Sequence, residues 1–139
     1  MANTFTAPFV QTYRTGVAWA NKATANTQND PAQMTLVATA GPNGSLVTRL
    51  SAIPQGTVAA TGLALYLVKA DDKDTGYLVD SELMPAWTYS ASMAHPETFF
   101  TNISQTNPIR LAAGDKLYVG IRTLPANGFI PFTCEWGDL

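Results

Sequence analysis

The chain has 139 residues, enough for one domain with a core that needs no covalent staples. Charged residues make up 13% of it, about half the usual share, and the net charge of −2 offers no broad positive field to nucleic acid or anionic lipid. Eighteen threonines against three glutamates favour strands over helical surfaces, and a neutral surface of this kind packs against protein with few charges to desolvate.

In chain order, Met1–Thr6 lacks the basic and apolar stretches of a signal peptide, and no run approaches the ~20 apolar residues of a membrane span. Synthesis and use in the cytoplasm without secretion are the expectation. Residues 1–31 read as an N-terminal arm, or a first strand, followed by a linker. Phe9, Gln11, Tyr13, Thr15, Val17 and Trp19 share one parity, which predicts two short strands hinged at Gly16. Lys22–Pro31 is plainly polar and reads as the linker.

Residues 32–139 read as the main body, with period-two alternation and no sustained helical stripe. Gln33–Ala40 and Ser45–Ile53 flank Gly41-Pro42-Asn43-Gly44, which predicts a hairpin because Asn-Gly supplies positive φ angles. Gly62–Lys69 is the clearest strand: Leu63, Leu65 and Leu67 point one way, Ala64, Tyr66 and Val68 the other. Short strands are expected at Tyr77–Val79, Met84–Ser90, Thr98–Ile103 and Ile109–Ala112, with one helical turn near Ser92–Pro96. In Lys116–Arg122, Leu117, Val119 and Ile121 share a face. At the C-terminal end Ile130, Phe132, Cys134 and Trp136 do the same, opposed by Phe129, Pro131, Thr133 and Glu135. Pro131 lacks a ladder donor and argues for an edge strand or a bulge. Turn signals at Asp71–Asp74, His95-Pro96, Asn107-Pro108, Gly114-Asp115 and Asn127-Gly128 separate these runs. Eight to ten strands so spaced predict an all-β fold, a sandwich, jelly roll or barrel, with an antiparallel, jelly-roll-like β-sandwich expected first.

Catalytic candidates are sparse. His95 is the one histidine; it precedes a proline in a turn, and no nucleophile elbow accompanies it. Cys134 is the one cysteine, which excludes an internal disulfide and a multi-thiolate zinc site, and its parity places it in the core. Asp71, Asp72 and Asp74 make an acidic loop without the twelve-residue calcium pattern or a bidentate Glu, and read as a solvated tip. No acidic pair stands out for hydrolysis, and no phosphate-binding glycine motif occurs. No enzyme, cofactor or metal is expected. Among the tryptophans, Trp19 and Trp136 fall on apolar faces and are expected in the core. Trp87, after Pro85-Ala86, is expected to be exposed, where it could stack on a sugar.

Three stretches carry a resemblance: Gly62-Leu-Ala-Leu-Tyr-Leu-Val68, Leu111-Ala-Ala-Gly-Asp-Lys-Leu-Tyr-Val-Gly-Ile121 and Phe132-Thr-Cys-Glu-Trp-Gly-Asp-Leu139. With residues 44–139 around them, they are similar to small tailed-phage virion proteins of the head-decoration or cement type. The resemblance implies a β-sandwich subunit, commonly trimeric, seated on the capsid surface of a virion and contacting the major capsid protein or other virion proteins. A tail, collar or fibre component is the alternative within that class, and a carbohydrate-binding sandwich the alternative outside it. The N-terminal segment lies outside the match. Its apolar Asn3–Val10 stretch could add a strand to a neighbour's sheet or pack on its own domain. Phe5, Phe9, Val10, Tyr13 and Trp87 are the interaction residues this reading selects; nucleic acid and membrane are not expected partners.

Overall fold

Alternating apolar residues bury one face of a strand and leave the other to solvent, so two such sheets close on each other. The computed structural model describes residues 9–20, 22–23, 29–123, 125 and 130–139. Its strands are β1 (Thr12–Ala20), β2 (Thr35–Thr39), β3 (Ser45–Ala52), β4 (Thr61–Val68), β5 (Tyr77–Met84), β6 (Thr98–Phe99), β7 (Ile109–Leu111), β8 (Lys116–Ile121) and β9 (Ile130–Asp138). They form two antiparallel sheets, β1-β9-β3-β6 with β7 also on β3, and β2-β8-β4-β5. The protein is an all-β sandwich.

The core is the contact between the inner faces. Leu63 and Leu65 of β4 and Leu117, Val119 and Ile121 of β8 meet Val47 and Leu50 of β3 and Ile130, Phe132 and Cys134 of β9. All are essentially buried, and each large side chain contributes roughly 1.5–3 kcal/mol by leaving water. A second, smaller cluster of Met34, Ala64 and Tyr66 lies on the other side of β4. Met34 caps a 3-10 turn, Pro31–Gln33, whose N-cap Asp30 accepts a hydrogen bond from the Ala32 amide.

Several local expectations are corrected. β2 and β3 do not form a hairpin: they lie in different sheets, and Gly41–Gly44 is the corner between them. Gly44 alone has φ of +88°, so Asn43 does not supply the second left-handed residue that a type I′ hairpin turn needs. β1 is one strand, not two. Gly16 is internal to it, because a Cβ there would lie 2.1 Å from the Val37 carbonyl oxygen and 2.7 Å from the Trp136 ring. Pro131 sits in β9, a central strand. Its carbonyl accepts from the Ile53 amide, so its missing N–H faces a point where β3 has already ended. Tyr77–Met84 is a single strand. Residues 85–90 form none, residues 100–103 leave β6 for a turn, and no helix forms at Ser92–Pro96. The Asn127-Gly128 turn, Phe129 and residues 24–28 of the Lys22–Pro31 linker lie outside the described residues.

Two buried aspartates fasten the corner end. Asp138 accepts from the Ser45 hydroxyl at 2.6 Å and from Arg14 at 2.9 Å, and Ser45 in turn accepts the Gly41 amide. Asp115 accepts from Lys69 at 2.8 Å and from the amides of Ala70 and Ala112, while its own carbonyl accepts the Ala40 amide. Burial by itself pushes the Asp115 carboxyl up, but Lys69 and the two amides outweigh it and hold it below its ordinary value of 3.8. The Ser45 hydroxyl and Arg14 hold Asp138 below it too.

Two outcomes are expected. Gly16→Ala lowers stability by about 1–3 kcal/mol through overpacking, read as an earlier urea midpoint at unchanged slope. The depressed carboxyls give stabilisation that is complete above the unfolded value near 3.8 and is lost as pH falls through their lower folded values. Thermal melts at constant ionic strength therefore hold from pH 7 to about 5 and drop at about pH 3, and Asp115→Asn flattens that acid limb.

Candidate interaction face

The strand parities that send Ala18, Ala20, Phe132 and Cys134 inward send their neighbours outward. On the outer face of the β1-β9-β3-β6 sheet, register aligns Thr15, Glu135 and Arg49 in one row, and Val17, Thr133, Ser51 and Phe99 in the next. Tyr13, Val17 and Trp19 stand along β1 at 86%, 74% and 56% exposure. Trp19 is thus a surface residue, contrary to the core expectation. It shares the parity of Tyr13, while Ala18 and Ala20 are the β1 side chains that reach the core.

The middle of this face is polar and internally satisfied. Arg49 reaches Glu97 at 2.7 Å and Glu135 at 3.0 Å, and its guanidinium lies 5.2 Å from the Phe99 ring centre. Ser51 donates to the same Glu97 oxygen. The two glutamates are therefore committed to one arginine. Toward the corner end, a groove of about 460 Å³ is lined by Val10, Tyr13, Arg14, Thr15, Gln105 and Glu135, among others. Val10 lies on β9 at Gly137, where a Cβ would fall 2.5 Å from the valine Cγ1.

Of the interaction residues selected from the sequence, Val10 and Tyr13 line this groove and Phe9 is exposed just before them. Phe5 lies outside the described residues. Thr12–Ala20 pairs with β9 of its own domain at nine positions, and of the Asn3–Val10 stretch only Phe9 and Val10 lie among the described residues.

Trp87 is elsewhere, beyond the far end of β3, and is half-buried rather than open. Both its main-chain groups bond Val58, the indole packs against the core, and the His95 ring lies 4.7 Å from it. Tyr89 completes a trio at 6.1 Å from Trp87 and 5.8 Å from His95. The His95 Nδ1 is bonded to the Pro54 carbonyl at 2.8 Å, so this ring anchors the 85–97 loop. Trp136 is half-buried against the core.

Asp72 accepts the Tyr77 hydroxyl, and among the described residues no three His, Cys, Asp or Glu side chains gather as a metal site would require. Nothing in the sequence marked Arg49, Glu97 and Phe99 as sharing one sheet face with the outward residues of β1. Only the shared parity of Tyr13, Val17 and Trp19 was readable.

Cys134 is buried, and its thiol is pushed up to about 12 by burial, reinforced by the charge of Glu135. A thiol reagent at pH 8 is expected to leave the folded chain unmodified and to label one equivalent in denaturant, as counted by mass spectrometry. Fast labelling of the native protein is the opposing result.

No family model, curated protein or solved structure matches this chain.

Proposed function

We propose that the chain is a non-catalytic structural subunit of a protein assembly, and within that class a phage decoration or cement protein that binds the capsid surface. The observation that carries the reading is the apolar row Tyr13, Val17 and Trp19, exposed on an edge strand beside a groove. Large apolar side chains held open along one edge strand are stabilised by burial under a protein partner. The polar centre of the same face suits such a partner, since Arg49 already neutralises its glutamates and little unpaired charge must be stripped of water.

The strand order adds support. We read β1-β9-β3 with β6 and β7 sharing the last position, against β2-β8-β4-β5, as jelly-roll-like, an architecture that recurs in viral capsid domains. Lectin domains use it too, so the fold does not choose between them. Trp87 is half-buried, packed against the core and beside His95, so less of its ring is open to a sugar than the carbohydrate-binding alternative expects. As a cement protein the chain would bind capsomers in their assembled arrangement and so stabilise that arrangement. Weak contacts per copy sum across an oligomer, with a trimer as the preferred state.

The test is co-sedimentation with tailed-phage particles from the organism that encodes the chain, together with light scattering of the purified protein. Wild type is expected to pellet in stoichiometric amount. The triple change Tyr13→Ser, Val17→Ser, Trp19→Ser is expected to stay in solution with its circular dichroism unchanged. A wild-type monomer that never pellets with the particles sinks the proposal.

A further inference from the structure

The chain has four lysines, and three of them, Lys69, Lys73 and Lys116, line one pocket of about 290 Å³. Its other walls are Val68, Ala70, Gly114 and Tyr118. The pocket lies on the outer face of the β2-β8-β4-β5 sheet, where the turn after β4 meets the turn before β8. Those turns touch closely: Gly114 has φ of +82°, and a Cβ on it would come within 3.0 Å of the Ala70 Cβ. Asp115 fastens them by accepting from Lys69 and the Ala70 amide. The convergence of residues so far apart in sequence is therefore built by the fold.

The three charges are not equally spent. Lys69 is neutralised by Asp115, with Asp71 adding its field. Lys73 and Lys116 enter none of the four ion pairs among the described residues, and those residues include all ten Asp and Glu side chains of the chain. Asp71, Asp72 and Asp74 share a turn with Lys73, yet Asp72 bonds the Tyr77 hydroxyl and none of the three pairs with either lysine. In a molecule of net charge −2, two unpaired ammonium groups beside a tyrosine in a concave site mark a place for negative charge.

We infer that this pocket binds an oxyanion, with Lys73 and Lys116 as its charged ligands. Ammonium groups donate to carboxylate and phosphate oxygens alike, and the partly walled setting strengthens those bonds over open water. The inference stands apart from the apolar face of β1, on the other sheet, and does not depend on what that face binds.

The test is an amide chemical-shift titration of the full chain at constant ionic strength, with chloride as the reference salt. Inorganic phosphate and N-acetyl-aspartate amide are the two probes, standing for a free phosphate group and for a partner's acidic side chain. At least one probe is expected to give saturable shifts confined to residues 69–73 and 113–118. The double change Lys73→Gln, Lys116→Gln is expected to weaken that binding about tenfold or more while spectra elsewhere stay the same. Phosphate alone saturating assigns the site to phosphate groups, and saturation by the aspartate derivative extends it to protein carboxylates. Shifts that are diffuse, that fail to saturate with either probe, or that persist in the double variant overturn the inference. Single Lys73→Gln provides a second reading should the Lys116 change disturb β8.

Discussion

The structure depends on one constraint: the inner faces of β4 and β8 must meet those of β3 and β9 without water between them. Leu63, Leu65, Leu117, Val119, Ile130, Phe132 and Cys134 are fully buried by that contact. In a strand, fixing one side chain's direction fixes the next one's opposite. The polar row of Thr15, Glu135 and Arg49 and the aromatic display on β1 are therefore consequences of core parity as much as features of a surface.

That logic explains what was legible in the sequence. Runs with unbroken alternation, Leu63–Val68 and Leu117–Ile121, could be placed on the correct faces by inspection. Bulges defeated the rest. Register shifts give β2 an extra residue at Val37, β3 one at Thr48 and β5 one at Val79. Val37 and Ala38 are both buried as neighbours, and Val47 and Leu50 both face inward three residues apart. Neither spacing fits a period of two. The Gly41–Gly44 corner failed for another reason. A turn sequence reports local φ angles but not which sheet the following strand joins, and that choice is made by Ser45 and Asp138, 93 residues apart.

The candidate sites divide along the same line. Tyr13 could be selected only as part of the N-terminal segment, because the parity it shares with Val17 and Trp19 does not say which side of the strand faces out. Assigning Trp19 to the core misjudged which parity of β1 faces inward, since small alanines, not the aromatics, fit beneath β2. Trp87 looked open because the surrounding sequence is loop-like, yet paired main-chain bonds to Val58 draw it down onto the core. The lysine pocket could not be read at all, because Lys69 and Lys116 become neighbours only through strand pairing at Val68 and the carboxylate of Asp115.

The irregular outer strand of the second sheet has a further consequence. β5 carries Tyr77, Leu78, Val79 and Leu83 in the open, a composition that invites lateral ladder growth between copies. The extra residue at Val79 twists its free side out of register, and Asp80 and Glu82 set negative charges along the same short stretch. Both acids turn onto the loop after β6, Asp80 accepting from Asn102 and Glu82 from Thr101, so the chain itself shields part of this rim. Fibrous polymerisation along β5 is thereby discouraged even when molecules are crowded.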